Sequence, residues 1–191
     1  VSAAAFEFMR LLTVAVLLCA VQLKTPIDGV FAEAAAGIEV YYAPEDLPLD
    51  RLLGLYRHAR RYIYVSVYGM TAPAAVKALI EAKKRGVDVR IITDGGRLDD
   101  PKQRTALETL RLADVPIRIS RHDGLMHLKQ VVIDDEVNAN GSMNHTTSGN
   151  RYNDERLDVI TDPRVTARAR QKFLSMWTDH ERYANWTESR P

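Results

Sequence analysis

From Ile38 to Ser120 the chain alternates between short runs rich in β-branched and aromatic residues and amphipathic stretches of helical period. No other feature of the sequence restricts the fold so strongly. The extended runs are Ile38 to Tyr42, Tyr62 to Tyr68 (YIYVSVY), Val87 to Thr93 (VDVRIIT) and Val115 to Ser120 (VPIRIS). Between the first two, Pro48 to about Arg61 gathers Leu52, Leu53, Leu55, Tyr56 and Ala59 on one side of a helix. A second helix opens at Thr71-Ala72-Pro73 and stops at Gly86, and a third runs from about Pro101 to Ala113. Strands separated by helices predict an α/β fold, a mixed, largely parallel β-sheet flanked by helices on both faces, in one domain. Past Ser120 the pattern predicts strands from Leu125 to Ile133 and from Val137 to Asn140, joined by a turn at Asp134-Asp135-Glu136. A strand from Leu157 to Thr161 follows. Asp162-Pro163 then introduces a helix through about Arg182, and the polar tail beyond it is expected to fray.

The 191 residues suffice for one substantial core. With 26 basic and 25 acidic residues the net charge is +1, so any polyanion must be held by a local patch rather than by the field of the whole protein. Residues 1–36 have the pattern of a targeting segment. Arg10 precedes an apolar run from Leu11 to Leu23 that is short for a membrane span, and Ala32-Glu33-Ala34 and Ala34-Ala35-Ala36 offer small-residue cleavage sites. The expectation is export, periplasmic or secreted, with an uncleaved tether as the variant, leaving 37–191 as the functional domain. The one cysteine, Cys19, lies in that segment, so 37–191 contain no disulfide, no cysteine nucleophile and no thiolate zinc site.

Chemistry concentrates between Leu125 and Glu155. His127 and Lys129 stand two apart in an extended run and project from one face, and Ser142 and Asn144 repeat that spacing after Gly141. An imidazole beside an ammonium and an amide suits an anion with a nucleophile next to it. A phosphodiester repels charged nucleophiles. Neutral imidazole avoids the repulsion and divides one hard displacement into two easier ones. Asp134, at a strand end and of opposite parity to His127, is expected to stabilise its turn, and Gly141 to allow a close backbone approach or a positive φ.

The spacing H-x-K-x4-D-x6-G-S-x-N formed by His127, Lys129, Asp134, Gly141, Ser142 and Asn144 resembles the signature of the phospholipase D superfamily. Glu155, eleven residues after Asn144, matches the downstream acidic position, while Arg156 stands where bacterial members often carry Asn. The resemblance extends in order of elements over about Ile38 to Trp177 and points toward the small secreted bacterial endonucleases of that superfamily. It implies a metal-independent phosphodiesterase that needs no cofactor and works through a phosphohistidine. His127 would be the nucleophile, with the His127 of a second copy across a two-fold axis as general acid. Lys129, Asn144 and Ser142 would hold the phosphate, and Glu155 would bond an imidazole Nδ1. Homodimerisation follows from the single motif copy.

Other readings compete at each of these residues. A solitary histidine in a strand is more often structural than catalytic. His122, His127 and His145 suggest zinc, but no i,i+4 pair supports them and no metal site is expected. Arg57-x-x-Arg60-Arg61 and Lys83-Lys84-Arg85 read as solvated helix ends, and Tyr62, Tyr64 and Tyr68 as core. Three functions stay open: an endonuclease without sequence preference acting on DNA first and RNA second, a phospholipase D cleaving a phospholipid headgroup, and a catalytically silent nucleic-acid-binding or uptake protein.

Overall fold

The computed structural model describes residues 37–187. The expected targeting segment, residues 1–36, lies outside the described residues, as do 188–191. An eight-stranded sheet runs through the domain, built from β1 (Ile38–Ala43), β2 (Tyr62–Val67), β3 (Asp88–Thr93), β4 (Ile117–Ser120), β5 (Lys129–Ile133), β6 (Val137–Gly141), β7 (Glu155–Ile160) and β8 (Tyr183–Asn185), in the spatial order β1-β7-β6-β5-β2-β3-β4-β8. The helices are α1 (Pro48–His58), α2 (Pro73–Lys84), α3 (Pro101–Leu112), α4 (Thr147–Arg151) and α5 (Pro163–Thr178), with a 3-10 turn at Gly95–Asp99.

The fold is mixed α/β with helices on both faces, but parallel pairing is the smaller share. Only β2–β3 and β3–β4 are parallel, whereas β1–β7, β7–β6, β6–β5, β5–β2 and β4–β8 are antiparallel. Strand–helix alternation predicts parallel neighbours only where each crossover helix returns the chain beside the strand it left. The chain does this twice, through α2 and α3. β1 instead pairs with β7 at the sheet edge, β5, β6 and β7 are successive antiparallel neighbours that begin beside β2, and α5 carries the chain back across the sheet to β8.

Three local differences have identifiable causes. The last helix ends at Thr178, not near Arg182, because the Asp179 carboxylate accepts from the Glu181 and Arg182 N–H groups and turns the chain. The tail then forms β8 on β4, anchored by buried Tyr183 and Trp186. Thr147–Arg151, a stretch of polar residues, forms α4 behind the Thr146 side chain, which accepts from Gly149 N–H. β5 begins only at Lys129, so Leu125 to Leu128 approach the sheet as irregular chain.

Two apolar layers cover the sheet. Leu52, Tyr56, Leu79, Leu107 and Leu110 from α1, α2 and α3 pack with Ile63, Val65, Val89 and Ile91 on one face. On the other face Phe173 and Met176 of α5 meet Tyr62, Tyr64, Ile92 and Val132, with the Tyr64 and Phe173 rings stacked at 4.7 Å. β2 is buried along its whole length, which fits its near-continuous apolar sequence.

The β5–β6 hairpin is fixed at its tip. Asp134 and Asp135 have φ of 56° and 63°, the left-handed pair of a tight hairpin turn closed by Glu136 N–H donating to Ile133 O at 2.9 Å. Asp134 is 4% exposed and accepts from Arg60 N–H (2.7 Å), Arg61 N–H (2.8 Å) and Tyr62 N–H (2.8 Å). One carboxylate thus ties the hairpin tip to the start of β2. Asp134→Ala leaves these donors without an acceptor and is expected to lower stability by about 3 kcal/mol, with Asp134→Asn losing less because it keeps an oxygen and tolerates positive φ. Urea unfolding of the three proteins checks this, and a loss below about 1 kcal/mol for the alanine variant would contradict it.

Candidate active site

The motif residues converge where β2 ends and β5, β6 and β7 meet. Val67 pairs with Lys129, the first residue of β5, and Gly141 at the end of β6 pairs with Leu157. The strands on either side of β5 place Lys129, Ser142, Asn144 and Glu155 at one end of the sheet, the carboxyl end of parallel strands β2 and β3. That is where open α/β sheets usually carry ligands.

His127 reaches this end by a different route from the one its spacing suggests. It precedes β5 and is held by the backbone on both sides. Met126 N–H donates to Asp94 Oδ2 at 2.7 Å, and Tyr68 N–H donates to Leu128 O at 3.0 Å. Asp94, 3% exposed, also accepts from Ser120 Oγ–H (3.1 Å) and, through Oδ1, from Gly96 N–H (3.0 Å). Three fixed donors replace its water, which makes it a rigid anchor for the segment leading into His127.

Lys129 Nζ lies 3.0 Å from both His127 Nδ1 and Nε2 and 2.9 Å from His127 O. The lone-pair directions of the two ring nitrogens diverge, so one ammonium at equal reach of both stands beside the ring and is in line with neither. It remains available to a phosphate oxygen. Burial draws the Lys129 pKa below its ordinary value, and the Glu155 carboxylate opposes that shift. The Tyr68 ring forms a wall on this pair, 4.7 Å from the imidazole centre and 5.4 Å from Nζ. Tyr68 is therefore a site residue and only half-buried, unlike Tyr62 and Tyr64 in the core. Its sequence run gave no signal, since all three tyrosines share one strand parity.

Asn144 Oδ1 accepts from Gly69 N–H at 2.9 Å. With the oxygen engaged, the amide's two N–H bonds remain for an anion. Ser142 differs from its expected part. Its hydroxyl donates to Glu155 Oε2 and accepts from Arg156 N–H at 3.0 Å, so it is committed to holding Glu155 rather than a phosphate. Glu155 also accepts from Asn153 Nδ2–H at 3.2 Å. Its bonds within this chain go to Ser142 and Asn153, not to the His127 imidazole. Gly141 makes this arrangement possible, because a Cβ there would overlap the Arg156 carbonyl oxygen. Asp134 lies at the opposite end of β5 from Lys129, occupied with backbone donors.

His145 sits beneath the site, 2% exposed, with its ring edge toward Tyr56. Its backbone ties the Asn144 segment to the chain after β2: His145 N–H donates to Gly69 O at 2.9 Å, and His145 O accepts from Thr71 and Ala72 N–H. Burial lowers its pKa from 6.5 to about 4. Among the described residues no group of three or more His, Cys, Asp or Glu side chains is placed to hold a metal ion. His127 is exposed, and the site is an open surface. A groove of about 820 Å³ between α2 and α3 includes none of the motif residues in its lining.

The profile of the family described as cardiolipin synthase, PLD-like domain, matches residues 52–177. Mitochondrial cardiolipin hydrolase from Xenopus tropicalis is 33% identical over 137 residues, covering 71% of this chain and 64% of the relative. Phospholipase D from Rickettsia bellii is 35% identical over 118 residues, 61% of this chain and 57% of the relative. The chain thus spans less than two thirds of these relatives. The crystal structure of Nuc from Salmonella typhimurium, a phospholipase D family member, superimposes with a TM-score of 0.74 at 26% identity, covering 80% of this chain and 99% of Nuc.

Two outcomes test how the site is held. A folded-state pKa below the ordinary value means that the unfolded chain binds the extra proton first. The contribution of His145 is therefore full above about pH 6.5 and is lost as pH falls through about 4, reaching about 3 kcal/mol. His145→Phe is expected to show a flatter fall in stability across that window, measured by urea unfolding at several pH values. Asp94→Asn sets an amide N–H against one of the three donors. It is expected to lower kcat for bis(p-nitrophenyl) phosphate up to about a hundredfold with KM nearly constant, because His127 is displaced while the phosphate contacts remain.

Proposed function

The chain belongs to the phospholipase D superfamily, a phosphodiesterase family, and on that footing we propose that it is a metal-independent endonuclease without sequence preference, cleaving DNA first and RNA second. The observation that carries this reading is the open half-site. An exposed imidazole, a neighbouring ammonium and an oriented amide lie together on a surface that a polymer backbone can cross. The near-complete coverage of Nuc by the match, and the motif's likeness to the small secreted endonucleases of the superfamily, support the same choice.

In this mechanism His127 attacks phosphorus, the bond to the leaving oxygen breaks, and the leaving oxygen takes a proton. Lys129 and Asn144 stabilise the equatorial oxygens as charge builds on them. Water then displaces the histidine from the phosphohistidine. One chain supplies one such imidazole, so the proton donor and later the base is the partner's His127 in a two-fold homodimer. Glu155, held by Ser142 and Asn153, is then free to bond the imidazole of the facing copy and fix its tautomer. The targeting pattern of residues 1–36 supports export to the periplasm or beyond, with an uncleaved membrane tether as the variant.

A second reading is supported by the names of the relatives at 33–35% identity and by Leu125 and Leu128, exposed at 59% and 37% on either side of His127. These apolar side chains suit a lipid surface and make phospholipid headgroup hydrolysis the alternative substrate class.

Plasmid nicking beside hydrolysis of cardiolipin and phosphatidylcholine vesicles separates the two. Nicking is expected to persist in EDTA and to fall at least a thousandfold in His127→Ala. Mixing Lys129→Ala with Glu155→Ala subunits is expected to restore part of the activity. Vesicle hydrolysis with plasmid untouched would reverse the substrate assignment, and activity in His127→Ala would point to the silent binding protein with a contaminating nuclease.

A further inference from the structure

The Tyr68 ring meets His127 and Lys129 and also Arg97, from the 3-10 turn after β3, whose guanidinium carbon lies 5.4 Å from the ring centre. The imidazole centre lies 4.7 Å from the same point, so guanidinium and imidazole are no more than about 10 Å apart. Phosphates of one strand recur every ~3.4 Å of axis in a duplex and are more widely spaced in an extended strand. A backbone with its scissile phosphate at His127 therefore brings a phosphate one or two nucleotides away within reach of Arg97.

Arg97 is built to stay in place. Its Nη2–H donates to Asp100 Oδ2 at 2.6 Å, and Asp100 is itself fixed as the N-cap of α3, accepting from Lys102 N–H at 2.9 Å. Capping and the Arg97 pair both hold the Asp100 carboxyl below its ordinary pKa. The Arg97 Nε–H is buried without an acceptor, although guanidinium donors in folded proteins are normally satisfied. The side chain is about a third exposed (30%), so it is both braced and accessible. A partly exposed cation held on an aromatic wall fits an anion that arrives with the substrate.

We propose that Arg97, backed by Tyr68, forms a second phosphate subsite that grips the nucleic-acid backbone next to the scissile phosphodiester. The inference rests on the nuclease reading and specifies how that site holds a polymer. It distinguishes substrates by their chemistry, since a single phosphodiester engages only His127, Lys129 and Asn144, whereas an oligonucleotide engages Arg97 as well.

The full chain is tested on a fluorescent single-stranded decamer and on bis(p-nitrophenyl) phosphate. Arg97→Gln is expected to lower the ratio of kcat/KM on the decamer to that on the small diester about tenfold, mainly through KM, with Arg97→Lys recovering part of the loss. Decamer binding, measured in the His127→Ala background, is expected to show a salt slope shallower by about 0.7 in Arg97→Gln, one phosphate contact on a single strand. Asp100→Asn keeps an N-capping oxygen and removes the competing charge, so it is expected to tighten decamer binding. An unchanged ratio, or equal losses on both substrates, would overturn the subsite while leaving the nuclease reading intact. Failure of the wild type to bind or cleave the decamer, with hydrolysis of cardiolipin vesicles, would remove the nuclease reading and the subsite together.

Discussion

The antiparallel pairing of β2 with β5 is the contact on which the rest of the molecule turns. β2 is fully buried and pairs with parallel β3 on one side, so its other edge accepts β5, the strand that begins at Lys129 and through which β6 and β7 join the sheet. The register places Val67 opposite Lys129 at one end and Ile63 opposite Ile133 at the other. A slip of one residue would turn Val131 and Ile133 out of the core and move Lys129 to the wrong face. Asp134 guards that register from the far end. Its three backbone acceptor bonds couple the hairpin tip to β2, so a motif aspartate distant from the reacting groups still decides where they stand.

At the active end, fixed carboxylates and amides orient the exposed groups. Asp94 holds the residue before His127, Gly69 N–H holds the Asn144 amide, and Ser142 holds Glu155. Each polar group bound to the scaffold leaves its neighbour's other donors or acceptors turned outward. Preorganised donors are effective because they need no reorientation when charge develops on a bound phosphate. The surface that results is open and charged, with Tyr68 as an aromatic wall beside His127 and Lys129.

Under the proposed mechanism that surface is chemically incomplete in a single chain. One imidazole can attack or transfer a proton, but a displacement through phosphohistidine needs both at once. The exposure of His127 leaves it accessible to the second copy of the proposed dimer, and the proposed Arg97 subsite would lengthen the site for a polymer.

The sequence by itself determined the α/β class, the strands up to Ser120, the helix starts at prolines and the identity of the motif residues. These depend on local periodicity, on capping chemistry and on spacing along the chain, all of which are written in consecutive residues. It also indicated close approach at Gly141, where glycine is the residue that fits against the Arg156 carbonyl. Tertiary structure alone decided that β1 lies beside β7, that the tail returns as β8, and that His127 stands off the strand, gripped through Asp94. Those outcomes depend on partners 32 to more than 100 residues away. Periodicity carries no information about them, because a buried carboxylate accepting backbone donors has the same sequence appearance as any aspartate after a strand. Ser142 shows the limit most clearly. The resemblance assigns it to the phosphate, whereas the backbone crossing at Arg156 brings Glu155 within its reach and its hydroxyl donates to that carboxylate.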